Sequence, residues 1–155
     1  MDFIRIKSLE QLSGISNRLL ELFNGYIKRS DYGRAPEDLL KTCIRYLGHS
    51  DHVFFIFIEK DKINGFLLCN LIGNSQKSIL YIDEFYCPNS GLKAWSGIKA
   101  IARVFGAQEI WGRTNDKTYR TFRRNIKDAV VEKEQTVRIT LWEANRVNQK
   151  ANQGI

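Results

Sequence analysis

Residues 79–125 read ILYIDEFYC (79–87), PNSG (88–91), LKAWSGIKAIARVFGAQ (92–108), EIWGRT (109–114) and NDKTYRTFRRN (115–125). They spell strand, tight loop, helix, strand, helix. In the first strand Ile79, Tyr81, Asp83 and Phe85 alternate with Leu80, Ile82, Glu84 and Tyr86. Apolar residues fall in both sets, as expected when both faces of a strand are at least partly covered. Pro88-Asn89-Ser90-Gly91 breaks the strand. Gly91, Ala94, Trp95, Ile98, Ile101, Ala102 and Phe105 then recur at helical spacing and predict one stripe packed on a sheet. Gly106 suits the helix end. A strand-to-helix loop aims backbone N–H groups and a partial positive charge at one spot, so Asn89 to Ala94 is a candidate phosphate-binding loop. The alternative is a plain connection.

Working outward, Phe3 to Lys7 alternates and predicts a first strand. Ser8 and Gln11 have capping-box spacing and open a helix with the stripe Leu9, Leu12, Ile15, Leu19, Leu22, Phe23 and Tyr26. Pro36 suits the first turn of a second helix, Ala35 to Leu47, with the apolar face Leu39, Leu40, Cys43, Ile44 and Leu47. Val53 to Ile58 is continuously apolar, like a central strand. Asp61-Lys62 opens a turn, and Ile63 to Ile72 pairs back as a hairpin. Ala129 to Lys133 and Val137 to Trp142 form a last hairpin. Residues 1–144 read as a single domain, and 145–155 as a polar tail.

The chain has 155 residues, 43% hydrophobic and 26% charged. No apolar run approaches the roughly 20 residues that span a bilayer. The first residues lack a secretory core. Cys43, Cys69 and Cys87 lack metal-ligand spacing and read as reduced thiols filling a core, in a cytoplasmic protein. No metal site is expected. His49 and His52 flank a loop and read as surface residues. Trp95 and Trp111 sit at core-like positions.

The net charge of +7 is concentrated. Residues 93–127 hold nine lysines and arginines and only two acids, Glu109 and Asp116, while the remainder balances. Arg113, Lys117, Arg120, Arg124 and Lys127 recur at three- and four-residue steps, with Arg123 beside them. Such a face suits an anionic partner: a cofactor phosphate, nucleic acid or an acidic protein surface. The alternative is a solvated face that aids solubility.

The order strand, helix, helix, three strands, helix, strand, helix, two strands resembles the GCN5-related N-acetyltransferase (GNAT) superfamily over residues 2–144. The local motifs agree in part. Ala102 to Gly106 matches the A-x-x-x-G end of the family's third helix. Thr114-Asn115 matches the place where members often set an Asn near the cofactor. The pyrophosphate loop pattern Q/R-x-x-G-x-G/A is degenerate: one alignment puts Gly91 at its last glycine, and none supplies the Arg or the glycine pair. In the fourth-helix pattern N-x-x-A-x-x-x-Y, Thr118 stands at the Ala position and Phe122 at the Tyr position. Tyr119 lies one turn earlier.

The resemblance implies an α/β (α+β) fold, a mixed and mostly antiparallel sheet of about seven strands flanked by four helices. It implies acetyl-CoA bound at a splayed gap between the fourth and fifth strands, with Phe85, Tyr86, Cys87, Asn89, Ser90, Gly91, Leu92, Lys93 and Asn115 as contacts. The implied activity is acyl transfer to an amine whose identity is set by residues 9–48. Glu84 is the candidate base, a backbone N–H near Phe85 to Cys87 the oxyanion donor, and Tyr119 the candidate acid. The alternative for Asp83 and Glu84 is a strand-edge carboxylate paired with a Lys or Arg. The rival function is a catalytically silent binding or scaffold protein of this fold, such as occurs in phage genomes, whose basic face meets nucleic acid or an acidic protein.

Overall fold

The computed structural model describes residues 1–29, 33–73 and 77–113 in full, and the backbone of 129–132 and 136–140. The elements are β1 (Asp2–Ile6), α1 (Leu9–Ile27), α2 (Pro36–Leu47), β2 (His52–Glu59), β3 (Lys62–Gly73), β4 (Ser78–Tyr86), α3 (Gly91–Val104), β5 (Glu109–Arg113), β6 (Ala129–Glu132) and β7 (Thr136–Thr140). All seven strands join one sheet in the order β1-β2-β3-β4-β5-β7-β6. The β4–β5 pair is parallel and the other pairs are antiparallel. This is the mixed, mostly antiparallel α/β architecture expected. The expected fourth helix and the tail fall on residues 114–128 and 145–155, outside the described residues.

The apolar run of β2 explains the layering, because alternate side chains serve opposite faces. Val53, Phe55 and Phe57 pack with Leu67, Cys69 and Leu80 under Trp95, Ile98, Ile101 and Ala102 of α3. Phe54 and Ile56 pack with Phe66 and Leu68 against Leu12, Leu19 and Phe23 of α1 and Leu39, Cys43 and Tyr46 of α2. All three cysteines are buried and free.

Ser8 caps α1 as its spacing predicts, its Oγ accepting from the Gln11 N–H at 3.2 Å. Leu9 is 60% exposed, so the buried stripe begins one turn later, at Leu12. On α2 the expected face holds at Leu39, Leu40, Cys43 and Leu47, while Ile44 turns outward and Tyr46 inward. Leu39, Cys43 and Tyr46 are buried, four and three residues apart, whereas Ile44 is 45% exposed. One residue is about 100° around a helix, enough to turn Ile44 outward beside Cys43. The hairpin turn is also earlier than expected. Lys60 and Asp61 form it, with φ of 53° and 60°. Two positive φ angles mark the type I′ geometry that matches strand twist, made here without glycine.

α3 ends as its sequence predicts. Gly106 has φ +69°, and the Ala107 N–H donates to the Ala102 carbonyl at 2.8 Å. Across the sheet, α3 comes closest to β1 at Gly97, where an added Cβ would lie 1.8 Å from the Phe3 ring. Phe3 is itself held edge-on against Phe57, with ring centroids 4.9 Å apart.

Two stability outcomes follow from this packing. Gly97→Ala must push the Phe3 ring off Phe57 and should cost roughly 1–3 kcal/mol in chemical denaturation, as overpacking does. Phe3→Leu in the same chain should recover part of that loss. Trp95→Ala empties a site that is 6% exposed and should cost roughly 3–5 kcal/mol; a loss under about 1 kcal/mol would remove Trp95 from the core.

Candidate active site

β4 and β5 are fastened at one end. At the fastened end the Gln108 N–H donates to the Ser78 carbonyl at 2.8 Å, and Lys77 pairs with the buried Glu109 at 2.8 Å. The Trp111 indole N–H also donates to Glu109, at 2.6 Å. Among the described residues, which on this strand stop at Arg113, the parallel pairing runs from Ile79–Glu109 to Ile82–Gly112, and β4 continues to Tyr86. At the Ile82–Gly112 pair an added Cβ on Gly112 would lie 3.3 Å from the Ile82 Cβ, so the two strands are close there. The gap that the sequence resemblance implied would lie beyond this pair, where the chain after Arg113 is outside the described residues. Trp95 is buried beneath α3, and Trp111 is half-buried and bonded to Glu109.

The part of β4 beyond Ile82 is irregular. Its register with β3 steps from Leu68–Glu84 to Cys69–Ile82, leaving Asp83 as the extra residue of a bulge. A bulge re-aims side chains. Asp83 and Glu84, neighbours in sequence, both reach partners on the α1–α2 side. Glu84 accepts a hydrogen bond from the Tyr26 hydroxyl of α1 and pairs with Arg34 at 3.4 Å. Asp83 accepts from the Tyr46 hydroxyl of α2 and from the Asn70 amide, the latter at 2.6 Å. Tyr26 is held by its rings' neighbours, Phe66 at 5.5 Å and Tyr86 at 5.3 Å between centroids. Tyr46 meets His52 edge-on at 4.6 Å. His52 is thus partly covered rather than a plain surface residue, and its Nδ1 is buried; His49 is exposed.

Burial sets the electrostatics here. Loss of hydration raises the Glu84 carboxyl above the usual range, against the lowering effects of Tyr26 and Arg34. The same cause raises Asp83, opposed by Tyr46, His52 and Asn70. It also drives the Tyr46 hydroxyl upward, with Asp83 adding to the effect. Glu84 is therefore a carboxylate biased toward keeping a proton, as a base working near neutral pH requires.

Phe85 packs in the α3-side core, Tyr86 stacks near Tyr26, and Cys87 is buried just past β4. Asn89 is exposed in the turn, Ser90 is the N-cap of α3, and Gly91, Leu92 and Lys93 begin the helix. Ser90 and Lys93 are already engaged. The Ser90 hydroxyl donates to Glu59 at 2.9 Å and Lys93 pairs with the same carboxylate at 2.9 Å. Lys93 holds the Glu59 carboxyl below its usual range, with Ser90 second. Arg113 is exposed at the end of β5. Asn115, Lys117, Tyr119, Arg120, Phe122, Arg123, Arg124 and Lys127 lie outside the described residues. Among those described, no group of His, Cys, Asp and Glu could hold a metal ion, and no helix is long and apolar enough to cross a membrane.

The sequence reading missed Tyr26, Tyr46, Asn70 and Glu59 as site residues. Tyr26 was assigned to the stripe of α1 for its ring, and its hydroxyl at the stripe's end was the available signal. Glu59 closes an apolar strand, a place where a charge commonly meets only water.

The raised Glu84 carboxyl has a pH consequence. Between the unfolded value, about pH 4, and the higher folded value, the folded chain binds more protons, so stability falls as pH rises through that window. Glu84→Gln keeps an oxygen for Tyr26 and removes the charge. Its melting temperature should gain on the wild type from about pH 4 to about pH 7. A difference that is flat or reversed over that range would show that burial does not govern Glu84.

No protein-family model matches the sequence, and no curated protein matches it. Solved structures do. A GNAT-family acetyltransferase from Staphylococcus aureus Mu50 superposes with a TM-score of 0.66 at 13% identity, covering 91% of this chain and 100% of the other. A GNAT-family acetyltransferase from Desulfovibrio desulfuricans gives 0.63 at 15% identity, with 91% and 99% covered. An aminoglycoside 6′-N-acetyltransferase from Acinetobacter haemolyticus gives 0.62 at 13%, with 86% and 94% covered. At such identities the likeness is one of architecture. The chain has the fold of the GNAT acetyltransferases.

Proposed function

We propose that the protein is an acyl-CoA-dependent N-acyltransferase. The observation that carries this reading is the largely buried carboxylate of Glu84, held by Tyr26 and Arg34 on β4, the strand that pairs in parallel with β5. The structural neighbours include acetyltransferases, two of them aminoglycoside acetyltransferases, which supports amine acylation as the reaction class.

The residues present fit such a cofactor. The first intrahelical bond of α3 runs from the Ala94 N–H to the Ser90 carbonyl at 2.9 Å, so the amides of Gly91, Leu92 and Lys93 precede the hydrogen-bonded ladder. Ser90 and Lys93 hold the Glu59 carboxylate beside them, which supports a preference for negative charge at that spot. Ser90, Gly91, Leu92 and Lys93, with Asn89, are the proposed pyrophosphate contacts. Acyl-CoA would supply the activated thioester.

The chain's own residues would do the rest. The acceptor enters from the α1–α2 side, where Tyr26, Arg34 and Tyr46 surround the two carboxylates. Glu84 takes the proton from the acceptor's ammonium, directly or through a water, and Tyr26 fixes its orientation. A backbone N–H near Phe85 to Cys87 donates to the developing oxyanion. Tyr119 or water protonates the leaving sulfur. Thiols ionise at about 8.5, so this step needs little help near neutral pH.

Calorimetric titration with acetyl-CoA tests cofactor binding, and thiol release with a panel of amines tests turnover. Glu84→Gln should lower kcat/KM by roughly 10²–10⁴-fold while leaving acetyl-CoA affinity within about twofold. Absence of acetyl-CoA binding, together with salt-sensitive binding of nucleic acid, would instead favour the rival binding protein, whose motive is the charge excess in residues 93–127.

A further inference from the structure

Glu59 ends β2 with the same parity as Val53, Phe55 and Phe57, and so on the α3 side of the sheet. Its Oε1 accepts from Lys93 Nζ at 2.9 Å, and its Oε2 accepts from Ser90 Oγ at 2.9 Å and Asn64 Nδ2 at 3.2 Å. α3 has 14 residues and no acidic residue in its own first turn. A helix N-terminus favours negative charge, and here a strand distant in sequence provides it. The head of α3 therefore holds an anion belonging to the chain itself.

We propose that Glu59 is an internal competitor for anionic ligands at the head of α3. It occupies Ser90 and Lys93 in the free protein and must release them when a pyrophosphate group binds. Two oxyanions of like charge cannot share one ammonium and one hydroxyl at hydrogen-bond distance without repulsion. The ligand must therefore displace a carboxylate that already has three donors, and it binds more weakly for that reason. Displacement is feasible because the carboxylate sits at the end of its strand. Once released, Glu59 remains close enough to oppose a second negative charge. Identification of the ligand as acyl-CoA rests on the function proposed above. The competition itself applies to any pyrophosphate.

The probes are inorganic pyrophosphate and acetyl-CoA, titrated separately into the full chain by calorimetry. Glu59→Gln keeps the side-chain size and an acceptor oxygen but removes the charge. It should bind pyrophosphate on the order of tenfold more tightly than the wild type. Combining it with Lys93→Ala should abolish the gain, because the released lysine is what the ligand captures. Glu59→Asp, which keeps the charge but shortens the reach to Lys93, should show a smaller gain and serves if the Gln variant does not fold. A residue that only caps the helix would lower the melting temperature on substitution without raising affinity. Unchanged or weaker pyrophosphate binding by the folded variants overturns the proposal, whatever acetyl-CoA does. A gain for pyrophosphate with no acetyl-CoA binding by any variant upholds the competition and removes the acyl-CoA reading instead.

Discussion

Side chains alternate along a strand, so Asp83 and Glu84 cannot both serve one face of a regular sheet. The extra residue of β4 opposite Leu68–Cys69 lifts that constraint. It also falls one residue past the last β4–β5 pair. The bulge and its two carboxylates thus share one short segment. The segment is held by hydroxyls and an amide from three other elements: Tyr26 of α1, Tyr46 of α2 and Asn70 of β3. Without such partners the largely covered Glu84 carboxylate would sit in a poorly hydrated place with nothing to stabilise it.

Two glutamates in this molecule have opposite environments. Glu84 is withdrawn from water with one long contact to Arg34, and its proton affinity rises. Glu59 meets a lysine and a hydroxyl at short distance near the surface, and its proton affinity falls. Environments that push like groups apart assign them different work. The first suits proton exchange. The second stays ionised and acts as a fixed charge.

The fold was legible because its strongest signals are local. The apolar run of Val53 to Ile58 marks a strand covered on both sides, and Ser8, Pro36 and Gly106 punctuate helices at the expected places. The site was less legible because its key contacts are distant in sequence. Tyr26 meets Glu84 across 58 residues, and Ser90 meets Glu59 across 31. Nothing in ILYIDEFY marks Asp83 as the extra residue, since the bulge exists only relative to β3. Tyr46 escaped the predicted face of α2 for a simpler reason: Ile44 is more apolar, and counting by hydrophobicity prefers it.

The β2–β3 hairpin controls more than its own shape. Its two-residue turn, Lys60 and Asp61, directly follows Glu59 and fixes the pairing Glu59–Lys62. Because strand faces alternate every residue, an insertion or deletion of one residue in the end of β2 would carry the terminal carboxylate to the opposite side of the sheet, away from Ser90 and Lys93. The register of this strand tip is therefore an electrostatic variable: it sets the charge at the head of α3 while every residue of the helix and its loop stays the same.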